Sequence, residues 1–496
     1  MDLVWYILFA LFFFIFVILI KNQPLRPRNF PPGPTPVPFF GNILSIGKRL
    51  PDKLLEWKEQ FGDTYSIFDG QNALVILNNW NTVRTVFADD AATGREQDCL
   101  IRTTPGHDVL PRTAGLAFSD GDLWKTHRRF ALSTLRDLGM GKSWLEETII
   151  AEVSAVCQIL RDTHVEPFNP KVQLSNSISN VICALIFGKR FELTDPKFSQ
   201  LTSSMAEHVE GAPIDKLLQA FPCLLWFPNP LRTRLQHLRQ NAGRIADFLK
   251  EQIRNHKHGD RIKSTTAPDY LYAYQREAEK GGNDSFNDKQ LLVSLFDLLL
   301  AGTETTATTV LWALVFMLEN PDVLRAVHEE IDTKVGRDQM LTNAHRGVLP
   351  YTEATILEVQ RCASMLPLAV PHKARVDMTV EGFTIPKGTF IAANLFAIHR
   401  DPRWWNNPEK FDPVRFLDAD GKLIRPEAFA PFSTGKRACP GESMAKRELF
   451  LFLANLFRCF NFKLAPGANI THKDYTCSVT LCPKPFELIF VPRFGA

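Results

Sequence analysis

The chain reads as mainly α-helical with small β-sheets: one large domain behind an N-terminal membrane anchor. Three observations predict this. A charge-free apolar run, Leu3 to Ile20, opens the sequence, and a proline cluster follows it. Long stretches with apolar residues at three-to-four spacing dominate what comes after. From about residue 50 onward there is no second low-complexity linker and no internal repeat. Length alone would suggest about two to four domains; the uninterrupted pattern favours one.

The apolar run comes first. Eighteen helical residues at about 1.5 Å each reach roughly 27 Å, close to a thin bilayer's hydrocarbon core. A cleaved signal peptide wants positive charge before the run and small residues at its end. Here Asp2 precedes it, bulky Phe, Ile and Val close it, and Lys21, Arg26 and Arg28 follow. That order predicts a retained anchor with everything after residue 20 on the cytosolic side. Phe30-Pro31-Pro32-Gly33-Pro34, with Pro36 and Pro38, then makes a stiff non-helical connector. The expected plan is an anchor at 1–20, a proline-rich linker at 21–49 and a globular body at 50–496.

Composition narrows the function. Hydrophobic residues at 45% and charged residues at 22% exclude a disordered, collagen-like or simple coiled-coil chain. Phe is abundant (38, against 9 Trp and 7 Tyr), which predicts a large apolar interior. The net charge of +3 is carried by the first fifty residues, so nothing points to nucleic acid. The 9 cysteines are scattered without the paired short spacings of a zinc site, and free thiols in a reducing compartment fit best.

Along the body, 64–77 and 376–392 read as short β pieces punctuated by Gly70, Gly382 and Pro386–Gly388. The stretches 141–160 and 232–256 read as helices. Phe221 to Phe227 is apolar between polar helices and fits either a membrane-dipping segment or core packing. Residues 288–318 predict a helix of roughly 46 Å, capped by Asn287 and stopped by Asn320-Pro321. It is apolar nearly all round, so it should run buried through the middle of the domain. Asp297, Glu304 and several Thr argue against a second membrane span. Its centre, Ala301-Gly302-Thr303-Glu304-Thr305-Thr306, is a weak, polar stretch inside a strong helix, and so a candidate functional site. The C-terminal 477–492 reads as a Pro-interrupted hairpin.

Cys439 follows a glycine-containing loop and precedes a helix-like run from Glu442 to about Phe460. Free N–H groups at a helix start favour a thiolate, and Pro440 and Gly441 let the backbone turn close to whatever the sulfur binds. Taken alone, such a cysteine is more often an ordinary buried hydrophobe. The wider pattern changes this. Phe432, Gly435, Arg437, Cys439 and Gly441 fill every fixed position of F-x-x-G-x-R-x-C-x-G. Glu358-x-x-Arg361, Pro413-Val414-Arg415-Phe416, Trp124-x-x-x-Arg128 and Ala301 to Thr306 supply further matches in order. Together they resemble the cytochrome P450 superfamily of haem-thiolate monooxygenases over essentially the whole chain. The anchor and proline segment resemble its microsomal animal members.

The resemblance implies the cytochrome P450 fold and a haem b (iron protoporphyrin IX) cofactor with Cys439 as its thiolate metal ligand. It implies that Arg437, Trp124, Arg128 and His372 bind the haem propionates; Arg95, with looser spacing, is a weaker candidate. Glu304 and Thr305 are implied as the catalytic acid–alcohol pair delivering protons for O–O cleavage. Thr306 is expected to back-bond the helix, and Asp297 to accept structural hydrogen bonds. Glu358, Arg361 and Arg415 are expected to form a buried charge network that serves folding.

The pocket is expected near the loop 99–118, Phe296 and Ala301, the turn Leu366–Val370, and Ser478–Val479. It is mainly apolar, so the substrate should be a lipophilic small molecule: a xenobiotic, fatty acid or sterol. No flavin or nicotinamide fingerprint is present. Electrons are therefore expected from an NADPH-dependent flavoprotein reductase in the endoplasmic reticulum membrane, with cytochrome b5 as a candidate second donor. Lys436, Lys446, Arg447, Lys125 and Arg129 are candidate docking charges. A haem-thiolate isomerase or dehydratase without external electrons, and a haem-binding sensor, are the alternatives.

Overall fold

The apolar run at 288–318 folds as a helix from Asp288 to Glu319, and the domain is assembled round it. A computed structural model describes residues 24–494 except 48, 96–102, 105–106, 109–113, 140–142, 212–217, 219–221, 227, 258–267 and 338. The expected anchor at 1–20 and most of the loop 99–118 therefore lie outside the described residues.

The central helix starts where the Asn287 side chain accepts the Gln290 N–H at 3.0 Å. It ends at Asn320, because Pro321 opens the next helix, Pro321–Lys334. Helix Lys171–Phe187 crosses it, with every residue from Leu174 to Phe187 buried. A Cβ at Gly302 would collide with Ile182, so Gly302 is what lets these two helices approach. Helices Pro350–Ala363 and Glu442–Cys459 pack on the central helix as well. Among the described residues it is the one helix long and apolar enough to cross a membrane. Burial in protein accounts for that apolarity instead.

The expected helices appear at Ser143–Arg161 and Pro230–Lys257. The β-like stretch 64–77 is a hairpin: Thr64–Asp69 against Asn72–Leu77, pairing Tyr65 with Ile76 and turning at Gly70. Phe390–Ala393 adds parallel to its second strand, and His372–Lys373 closes that edge antiparallel. The proline segment lies against this sheet. Ser66 donates its N–H to the Pro32 carbonyl at 2.7 Å, and a Cβ at Gly33 would run into the Ser66 carbonyl.

The C-terminus departs from the expected hairpin. Tyr475–Cys477 pairs with Leu481–Pro483, but Leu488–Pro492 pairs with Phe460–Leu464. Pro483 and Pro485 interrupt the ladder because neither has an N–H to donate. The later strand gains a better partner: the Phe490 ring meets Phe460 and Phe462 edge-on at 5.7 and 5.8 Å. The apolar 221–227 stretch divides its roles. Leu224 and Leu225 pack on Leu218, Leu235 and Leu238, while Trp226 stands exposed.

Candidate active site

The cysteine loop is built on close backbone approach. Gly435 has φ of 75°, and a Cβ there would drive into the Phe87 carbonyl oxygen. That same carbonyl accepts the Lys436 N–H at 3.1 Å. Cys439 donates its N–H to Phe432 O at 3.0 Å, closing the loop, and helix Glu442–Cys459 starts three residues later. Burial pushes the Cys439 thiol up, whereas the Gly441 and Glu442 N–H groups and Arg128 pull it down. The helix start thus favours the thiolate as the sequence suggested, but burial outweighs it, and a positive partner at the sulfur is needed to complete the balance. The sulfur is accessible to solvent by area yet enclosed by enough protein to raise its thiol.

Beside it lies a buried cluster of cations. Arg437 donates Nε to Thr93 O at 2.9 Å and Nη2 to Ser119 O at 2.7 Å. Its guanidinium stacks 3.7 Å over the Trp124 ring. Arg95 donates to the Val370 and Pro371 carbonyls at 2.6 and 2.8 Å, and Arg128 donates to Ala438 O. His372 stacks on Phe87 at 3.7 Å and meets Ala92 O at 2.7 Å through Nδ1. A carbonyl only accepts, so Nδ1 carries the proton and the neutral ring has a free lone pair at Nε2. Burial, together with Arg95 and Arg437, pushes His372 down to about 2. Burial and mutual repulsion push Arg95 and Arg437 down to about 9 each. Asp120, 3.9 Å from Arg437 and shared with Arg375, is the carboxylate at hand. Trp124 Nε1, Arg95 Nε and Arg437 Nη1 are all buried without a hydrogen-bond partner. Three unpaired donors in a positive enclosure fit a buried dianionic group.

Across the interior, the centre of the central helix opens. Ala301 is exposed and Leu298 and Thr305 are partly so, at i, i+3 and i+7 on one face, while the residues from Thr306 to Met317 are buried. Thr305 donates its hydroxyl to Ala301 O at 2.7 Å, which leaves its lone pairs free. This corrects one expectation: it is Thr305, not Thr306, for which the helical back-bond is seen. Glu304 points elsewhere. Its carboxyl is buried, meets the Thr308 hydroxyl at 3.4 Å, and is pushed up by burial against the opposing pull of Lys171. Lys171 is paired with Glu210 at 3.5 Å on the solvent side. Phe296 is fully buried and packs on His208, so it stands in the core and not on the accessible stripe. Asp297 accepts the Leu116 and Ala117 N–H groups at 2.8 and 2.9 Å, the structural role expected of it.

The Glu358 network is closed on itself. Arg361 meets Glu358 through two bonds of 2.7 and 2.8 Å, and Arg415 adds a third at 3.0 Å. Sequence reading missed Phe87, whose carbonyl holds the cysteine loop and whose ring supports His372. It lies in helix Trp80–Ala88 outside every motif, and only the fold brings it near.

Comparison with known proteins agrees with this geometry. The Cytochrome P450 family matches residues 31–490. Cytochrome P450 2J5 of Mus musculus is 35% identical over 97% of this chain and 94% of its own length. Cytochrome P450 2J2 of Homo sapiens is 36% identical over 94% and 92%, and cytochrome P450 2U1 of Homo sapiens 36% over 94% and 90%. The chain belongs to the cytochrome P450 family. It is a cytochrome P450 monooxygenase, an oxidoreductase whose cofactor is haem b.

Proposed function

We propose that this protein inserts one atom of O2 into a lipophilic small molecule (a xenobiotic, fatty acid or sterol) at the endoplasmic reticulum membrane, using electrons from an NADPH-dependent flavoprotein reductase. The observation that carries the reading is the pairing of an accessible cysteine just before a helix start with an under-neutralised arginine cluster. Haem, when bound, supplies the iron at which O2 is reduced and cleaved.

The chain's own residues do the rest. Cys439 Sγ holds the iron, and its negative charge is favoured by the Gly441 and Glu442 N–H groups. Arg437, Arg95, Arg128 and Trp124 hold the haem carboxylates through donors that are otherwise unpaired or repelling. His372 joins them once an anion beside Nε2 favours its protonation. Thr305, its proton committed to Ala301 O, accepts a water or a proton at its free lone pairs. Burial pushes the Glu304 carboxyl up, which favours its proton-bearing form, and the Lys171–Glu210 pair lies on its solvent side. Glu304 is the proposed proton donor and Thr305 the acceptor that holds the water or proton on its way. Ala301, Leu366 and Val370 are apolar and at least partly accessible, which supports a lipophilic substrate.

Exposed Lys125 and Arg129, one helical turn apart, support a reductase-docking face. Lys436 and Lys446 are already paired with Asp90 and Glu442, so their share is smaller. Cytochrome b5 remains a candidate second donor on the same face. Placement at the endoplasmic reticulum rests on Leu3 to Ile20 and the basic residues after it.

The test is turnover with 18O2 and NADPH in membranes containing reductase. Label is expected in the product, and Thr305→Ala is expected to divert reductant to peroxide. Product without label would contradict oxygen insertion and favour the isomerase alternative.

A further inference from the structure

A second cysteine site lies at the opposite end of the helix that begins beside Cys439. Cys459 is the last residue of helix Glu442–Cys459, which packs on helix Ser143–Arg161, the helix of Cys157; Arg161, one turn after Cys157, reaches the Cys459 sulfur. Both cysteines are buried and free. Two guanidiniums converge on the same sulfur: Arg458 Nη2 at 3.5 Å and Arg161 Nη2 at 3.7 Å. Among the described residues, neither arginine makes an ion pair with a carboxylate. Arg458 is spent on the Arg337 carbonyl and the Met340 sulfur, and its Nε is buried without a partner. The nearby Asp332 is taken by Arg337 and Arg493. Two cations held at a thiol with no other anion are placed to stabilise a thiolate.

We propose that Cys459 and Cys157 form a peroxide-reactive dithiol that closes to a disulfide, tying helix Ser143–Arg161 to the end of the cysteine-ligand helix. The assignment follows from unequal surroundings. Cys157, Arg458 and Arg161 lower the Cys459 thiol, whereas Cys459 and burial raise Cys157. One sulfur is therefore the nucleophile and the other the resolving thiol. The oxidant is hydrogen peroxide. The Cys459 thiolate attacks one peroxide oxygen; the S–O bond forms, the O–O bond breaks, and the hydroxide released takes up a proton to become water. The Cys157 sulfur then attacks the sulfenyl sulfur; the S–S bond forms, the S–O bond breaks, and a second water leaves with the Cys157 proton. Two thiols lose two electrons, and one peroxide is reduced to two waters. Arg161 is only half-buried, so the sulfur lies one side chain from solvent.

The test treats the full-length, haem-loaded protein in membranes with hydrogen peroxide, blocks free thiols with a maleimide, and maps peptides without reduction. One reductant-sensitive link between the Cys157 and Cys459 peptides is expected. In Cys157→Ser the same treatment should leave Cys459 as a sulfenic acid trapped by dimedone. Recovery of both cysteines as maleimide adducts after peroxide would overturn the proposal. So would Cys459 labelling in Cys157→Ser no faster than that of Cys183, a buried cysteine raised by burial and without arginines at its sulfur. Arg458→Gln is expected to slow Cys459 oxidation by about tenfold through loss of thiolate, with the carbon-monoxide spectrum of the haem unchanged; an unchanged rate would remove the arginines from the account.

Discussion

Two buried arginine clusters sit in the same domain and are solved in opposite ways. Around Glu358, the charges of Arg361 and Arg415 are met by a fully buried carboxylate and by carbonyls of His399, Pro408 and Lys410. Around Arg437, the guanidiniums of Arg95, Arg128 and Arg437 repel one another with a half-shared Asp120, and three N–H groups go unpaired. A buried charge network that serves the fold is expected to be complete within the chain. One that serves a cofactor is complete only with it. On the proposed reading, the contrast separates a structural motif from a haem-carboxylate site that looks equally cationic in sequence.

Each way of breaking the contrast has a different signature. Glu358→Gln strands two buried guanidiniums, and destabilisation of about 3–5 kcal/mol is expected with or without haem. Denaturant unfolding of the haem-free and haem-loaded protein checks this; a loss confined to the loaded form would place Glu358 in the other cluster. Arg437→Leu should do the reverse. The haem-free protein should unfold at the same temperature or higher, while haem affinity falls by about tenfold to a hundredfold, the range for a charge-assisted bond. Haem titration and thermal melting of one preparation read both. Trp124→Phe keeps the ring under Arg437 and removes one donor, so a loss of affinity of about fivefold is expected from one neutral donor.

A pH experiment sharpens the same comparison through one histidine in each cluster. His399 is pushed down to about 3 by burial, Arg361 and Arg400, and His372 to about 2 by burial, Arg95 and Arg437. Their folded values lie below the ordinary one near 6.5, so the unfolded chain binds more protons between the two. Each therefore contributes stability that is present above about pH 6.5 and is lost as pH falls toward its folded value. Haem carboxylates should raise His372 but not His399. Melting temperatures between pH 7 and pH 5 are expected to fall less steeply with haem than without, and His372→Asn should abolish that difference while His399→Asn retains it.

Much of this was legible in the sequence because the motifs are local. Gly435, Arg437 and Cys439 share one loop, and Glu358 and Arg361 share one helix face, so spacing alone pairs them. The central helix was legible from its length and all-round apolarity, with Asn287 and Pro321 marking its ends. What stayed hidden depends on distant backbone. Phe87 reaches the loop only because the sheet and helix Trp80–Ala88 carry it there, and no pattern round it says so. The last strand chose Phe460–Leu464 over its nearer neighbour because aromatic pairing outweighed proximity. Thr305 and Thr306 are chemically alike, and only the helical phase, which turns position 305 toward the accessible face, distinguishes them.

The whole proposed site turns on Cys439 holding haem iron as a thiolate. The carbon-monoxide difference spectrum of dithionite-reduced membranes expressing the full chain tests it most directly. A strongly red-shifted Soret band is expected, lost in Cys439→Ser. A band at the position of a histidine-ligated haem in the unaltered protein, or a red-shifted band that survives Cys439→Ser, would contradict the account.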